Sequence, residues 1–215
     1  MTEMRIERKQ KGFTLGELIA SVGIAAMVLS FGVPSLVDFQ RNAIMTSSVN
    51  SMISGINLAR VEALKRQLPV TLCGSPDPDA AEPVCGPGGG SGFIVFVDDN
   101  DNGVPDESTD GNAMVDANEV VVLQSSGRDE TIELFGNGGA YIAFGADGYL
   151  VTTAAGQEVS SSTVILYCDD RGNVDVGGRS AARVVNTAIT GRPQVLRDVV
   201  DVQIAVAATG GDCPG

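Results

Sequence analysis

From Phe13 to Val33 the chain runs for 21 residues with a single charge, Glu17. A helix of that length covers roughly 31 Å, about one bilayer hydrocarbon core, so the segment reads as a membrane-spanning helix. A cleaved secretory signal has a shorter apolar region ending at a small-residue site. Here the run is longer and the small residue, Gly12, stands before it. Residues 1–12 carry Arg5, Arg8, Lys9 and Lys11 against Glu3 and Glu7. By the positive-inside rule this flank stays in the cytoplasm and everything after about residue 35 lies outside.

A second helical pattern follows. Met45, Val49, Met52, Ile56, Ala59 and Ala63 recur at spacings of 4, 3, 4, 3 and 4, the signature of an amphipathic helix. Lys65, Arg66 and Pro69 supply a basic last turn and a stop. Residues 34–67 therefore continue the first helix, with the apolar stripe packed on whatever sheet follows. From Leu68 onward the chain becomes short β-rich runs between glycine-rich turns: 68–73, 92–97, 119–124, 131–135, 140–144, 149–153, 163–168, 182–190 and 200–206. Gly145-Ala146-Asp147-Gly148 and Asp170-Arg171-Gly172-Asn173 read as hairpin turns. The sum is an α+β fold, a long N-terminal helix packed on a largely antiparallel head spanning 68–215.

Composition narrows the chemistry. The 215 residues include no histidine, which removes a Ser-His-Asp triad, a Cys-His pair and any His-ligated metal. With 43% hydrophobic and 19% charged residues the chain can bury a core and is no disordered acidic tail. Asp169 and Asp170 are adjacent acids, yet nothing sets them opposite each other and no nucleophile motif appears. A membrane-anchored extracytoplasmic enzyme is thus the reading these residues support least, and no catalytic residue is assigned.

Four cysteines, Cys73, Cys85, Cys168 and Cys213, lie on the outer side of the expected span, where an even number suggests two disulfides. Three pairings are possible. Cys73 with Cys85 closes a short Pro/Gly-rich loop and Cys168 with Cys213 pins the C-terminus, which favours that pairing; a zinc site is disfavoured because the spacings are not CxxC pairs and the expected compartment is oxidising. Asp98, Asn100 and Asn102 followed by Gly103, with Asp106 at the ninth position, match the first half of a calcium loop, but Thr109 replaces the bidentate glutamate at the twelfth. Calcium as a cofactor and a solvated acidic turn both remain open.

Charge is segregated along the head. Between Gln67 and Asp170 there are 18 acidic residues and one basic, Arg128. From Arg171 to Arg197 there are five arginines, Arg171, Arg179, Arg183, Arg192 and Arg197, against Asp175 alone. A local basic patch leaves either a nucleic acid or an acidic protein neighbour as its partner.

Lys11-Gly12-Phe13-Thr14-Leu15-Gly16-Glu17 ahead of an apolar helix resembles the class III signal of type IV prepilins and pseudopilins, apart from Gly16, where members usually have a larger apolar residue. The resemblance implies that a prepilin peptidase cuts the 1–12 leader after Gly12 and methylates Phe13. It also implies that Glu17 meets the α-amino group of a neighbouring subunit's first residue during fibre assembly. A buried carboxylate and ammonium are each costly alone and offset one another when paired. Pro34 matches a proline common in pilins. The LCGS run, the second cysteine, GFIVFVDDNDNG and Gly191-Arg192 are similar to the FimT/GspH branch. That likeness implies a ladle-shaped pilin with a transmembrane helix over 13–33, an inner-membrane anchor and a periplasmic head. Its implied partners are other pilins or pseudopilins, prepilin peptidase and an inner-membrane assembly platform. It implies either a minor type IV pilin, with DNA uptake as an attached role, or a pseudopilin of type II secretion. Some FimT-like proteins bind DNA through a GRxR-type motif; Gly191-Arg192-Pro193-Gln194 keeps its first arginine and has Gln194 at the second, so the implied DNA contact falls on Arg183, Arg192 and Arg197.

Overall fold

The structure is a computed structural model describing residues 12–81, 83–85, 92–97, 119–127, 133–136, 141–151, 153–154, 157–158, 162–175, 177–210 and 213. The chain divides into two units, Met1–Arg41 and Asn42–Gly215. One helix, α1 (Leu15–Arg66), begins in the first and ends in the second. Thr14 caps its start: Glu17 N–H reaches the Thr14 hydroxyl at 3.3 Å and its carbonyl at 3.1 Å, satisfying a donor that the first turn leaves free. At the other end Lys65 and Arg66 complement the helix dipole. Gln67 closes it in the left-handed region (φ 58°), its N–H bonded to Ala63 O and its side-chain amide to Leu64 O.

The second unit holds two four-stranded antiparallel sheets. The first has the order β3-β2-β1-β5, with β1 Val70–Ser75, β2 Gly92–Val97, β3 Val121–Ser125 and β5 Tyr141–Phe144. The second has the order β10-β9-β8-β4, with β4 Glu133–Gly136, β8 Ser162–Cys168, β9 Arg183–Ala188 and β10 Pro193–Leu196. A two-residue pair, β6 (Thr153–Ala154) with β7 (Gln157–Glu158), stands apart. The apolar stripe of α1, Met45 through Ala63, is fully in the core. It packs with Val70, Leu72, Phe93 and Val95 of the first sheet and with Ile165, Tyr167 and Val185 of the second. Alternation along β8 then divides its side chains: Ile165 and Tyr167 enter that core, while Leu166 and Cys168 face a second cluster with Val184, Val202 and Ala205. Cys73, Ile94 and Phe96 form a third cluster on the far side of the first sheet.

The second cluster corrects one sequence expectation. Residues 200–206, expected as a strand, lie in helix α2 (Val199–Thr209). Asp198 caps it by accepting from Val200 N–H, and Gly210 ends it at φ 65° with its N–H on Val206 O. Alternating Val200, Val202 and Ile204 mimic a strand, but Val202, Ala205 and Val206 at helical spacing are what the second sheet buries. The Gly145–Gly148 turn is present, Gly148 N–H bonding Gly145 O at 2.8 Å. Around Asp170–Asn173, Gly172 N–H bonds Asp169 O, but the paired ends of β8 and β9 are Tyr167 and Arg183, so the connection is a long loop rather than a tight hairpin.

Candidate functional site: the apolar helix and the arginine cluster

Phe13 and Thr14 precede the first turn of α1 without regular structure, and Glu17 sits within that turn. Every residue described from Gly12 to Gln40 is exposed, the large apolar ones Phe13, Leu18, Val22, Met27 and Phe31 included. This is a helix long and apolar enough to cross a membrane, with none of that stretch buried inside the protein. Thr14-Leu15-Gly16-Glu17 also has the S/T-x-x-E form of a capping box, a local signal that sequence reasoning passed over. Residues 1–11 of the leader lie outside the described residues.

In the second unit both cysteine pairs are bonded, Cys73 to Cys85 with Cα atoms 5.6 Å apart and Cys168 to Cys213 with Cα atoms 5.8 Å apart. The first ties the loop after β1 to the third cluster; the second ties the chain beyond α2 to the end of β8. Asp98, Asn100, Asn102 and Asp106, the calcium-loop residues, lie outside the described residues.

The five arginines do not form one surface. Arg171, itself half-buried, grips the buried Asp169 and donates to Asn42 Oδ1 at 3.1 Å, joining α1 to the end of β8. Arg183 is 3% exposed, which corrects its expected place in a DNA contact. Its Nη1 donates to the carbonyls of Ser180, Ala181 and Ala182 at 2.8, 2.6 and 3.0 Å, so the guanidinium serves as an internal brace for the loop before β9. Burial, then the charges of Arg197 and Arg171, press its pKa down to about 10. Arg192 is exposed after the Gly191 turn, where φ is 73° and a side chain would collide with the Phe144 ring.

Arg197 is half-buried, and burial followed by the charge of Arg179 holds its pKa below the usual range. Arg179, outside the expected set, is exposed and belongs with Arg197. Ser180 N–H bonds Arg197 O at 2.8 Å, bringing the two arginines together. Spacing along the chain carries no sign of that pairing, because it is made by a contact across the loop.

The class the fold defines is α+β: an apolar helix long enough to cross a membrane, followed by a two-sheet head closed by two disulfides. The chain belongs to the family described as type II transport protein GspH, whose model matches residues 48–191. This is a family of minor pilins and pseudopilins, structural subunits that assemble with other pilins in a fibre. Among solved structures the chain is similar to the type IV minor pilin FimU of Pseudomonas aeruginosa in two crystal forms. In the first the identity is 18% over 75% of this chain and 94% of that one, with a TM-score of 0.46. In the second it is 16% over 70% and 90%, with a TM-score of 0.43. No curated protein sequence matches the chain.

Proposed function

We propose that the chain is a fibre-assembly subunit, a minor type IV pilin cut after Gly12, methylated at Phe13 and inserted in the inner membrane by residues 13–33 with its head in the periplasm. The observation that carries this reading is Glu17, the one charge between Phe13 and Val33, placed in the first turn of α1, whose residues from Leu15 to Val33 are all exposed. At the centre of a span an unpaired carboxylate costs about 2.5 to 3.5 kcal/mol on insertion scales, less toward the interface, and a neighbouring subunit's α-amino group at Phe13 offsets it. Membership thereby depends on a second chain being present. Mass spectrometry of the membrane-extracted protein gives N-methylated Phe13 as the first residue on this reading; a mature chain starting at Met1, or cut inside 13–33, would overturn it. Glu17→Ala leaves the amount in the membrane unchanged and lowers the amount in sheared fibres at least tenfold. The second reading, a pseudopilin of a type II secretion system, is favoured by the family's description. Deleting the chain separates the two: loss of surface fibres follows from the first, retention of folded exoproteins in the periplasm from the second.

A further inference from the structure

The last segment of the chain has a second face that the fold leaves uncovered. Helix α2 buries Val202 and Ala205 against the second sheet, while Val200 and Ile204 are 61% and 63% exposed on the other side. Ala207 and Ala208 are exposed as well, and residues 200, 204, 207 and 208 share one helical stripe. Val174, 46% exposed, stands at the N-terminal end of the stripe, where Asn173 Nδ2 donates to Val199 O at 3.2 Å. Single exposed valines are ordinary, whereas a contiguous apolar stripe marks a contact surface.

Arginines gather at its edge. Ser180 N–H bonds Arg197 O, Arg183 bonds Ser180 O, and Arg179 is the residue before Ser180, so three arginines converge on one residue. Among the described residues Arg179 and Arg197 take part in no ion pair, and Arg197 Nε is buried with no acceptor. Of the carboxylates near this pair, Asp169 holds Arg171, Asp198 accepts from Val200 N–H, Asp175 accepts from Gly178 N–H, and Asp201 lies in the first turn of α2, where the helix dipole favours it. Mutual repulsion of the guanidinium groups adds to the demand for an anion.

The kind of anion follows from what surrounds the pair. A nucleic acid backbone laid along this segment would pass Asp175, Asp198 and Asp201 and would gain nothing from the valine and isoleucine stripe. One carboxylate flanked by apolar side chains satisfies both features, with charge setting orientation and the apolar stripe supplying burial. We propose that the outer face of α2, with Arg179 and Arg197 at its rim, docks the head of a neighbouring fibre subunit that presents a carboxylate beside apolar side chains. The proposal rests on the fibre-subunit reading and adds to it a face and the chemistry of the partner.

The test places a photo-crosslinking amino acid at position 204 of the full chain in its host cells and maps the adduct, with the chain followed in the sheared-fibre fraction. The expected adduct joins α2 to a pilin-type subunit, or to a second copy of this chain, close to an aspartate or glutamate. Arg197→Glu and, at an exposed position, Arg179→Glu each lower the yield about tenfold, and lysine at the mapped carboxylate restores it. Thermal melting of both variants separates loss of docking from loss of fold, and Arg179→Lys keeps the yield. A chain present in fibres whose adducts go only to DNA or lipid, or whose adduct yield ignores both reversals, overturns the docking face alone. A chain missing from the fibre fraction overturns the subunit reading and this face with it.

Discussion

Two single residues in the half of α1 that enters the core show how closely it is fitted. Gly55 lies where an added Cβ would come within 2.4 Å of Phe93 Cε2 and 3.1 Å of Leu72 Cδ1. Gly55→Ala gains about 1 kcal/mol of helix propensity but forces the Phe93 ring aside, an overpacking cost of about 1 to 3 kcal/mol. The expected outcome is a net loss of about 1 kcal/mol, read as a lower melting temperature of the head. Glu62 poses a charge question instead. Its carboxylate accepts from Arg66 Nε at 2.6 Å and from Lys65 Nζ at 3.3 Å. The Arg66 bond first, and Lys65 after it, hold its pKa below the ordinary 4.5 against the opposing effect of burial. A depressed folded-state pKa contributes stability above the unfolded value and loses it as the pH falls through the folded one. Glu62→Gln therefore lowers the melting temperature at neutral pH, and the gap between variant and parent closes below pH 4.5, which a series of melts across the acid range records.

At the scale of elements, what the sequence made legible and what it hid have physical causes. The α1 stripe was legible because helical spacing and burial coincide over six consecutive core positions, Met45 to Ala63. Strands β1, β2 and β8 were legible as apolar runs bounded by breakers. Helix α2 was hidden because Val200-Asp201-Val202-Gln203-Ile204 alternates as a half-buried strand does, and only the caps Asp198 and Gly210 at its two ends argue for a helix. The arginine site was half legible. Arg197 and Arg192 could be found as charge, but Arg183 turns inward because it opens β9 at a buried position, and Arg179 reaches Arg197 through a loop pairing that has no sequence period. The same region gives an element-scale prediction. The Cys168–Cys213 bridge has a sequence separation of 45, against 12 for Cys73–Cys85. Loop-closure entropy assigns them about 4 and about 3 kcal/mol respectively. Replacing Cys168 and Cys213 together by serine is expected to lower denaturant stability more than replacing Cys73 and Cys85, and to raise amide exchange in α2 first, since that bridge fastens the chain just beyond the helix.

For the whole molecule, the apolar segment 13–33 and the head obey different solvents. Residues 13–33 carry one charge and are exposed throughout, a surface tolerable in lipid or against other such helices but not in water. The head instead has its own closed core, and the helix residues that core requires, from Met45 onward, all belong to the unit Asn42–Gly215. Even the link between Arg171 and Asn42 falls inside that unit. Stability and anchoring are therefore separable by a cut that touches no core residue. A chain beginning at Asn42 is expected to express in a soluble form through an oxidising compartment. It should show a cooperative melt within a few degrees of the detergent-solubilised full chain and keep both disulfides. The same chain is expected to be absent from membranes and fibres, because it lacks Phe13, Glu17 and the apolar surface. Circular dichroism melts and fractionation check both halves of the statement. A truncated chain that aggregates or melts without cooperativity would mean that residues 1–41 contribute to the head's core, contrary to the burial pattern of α1.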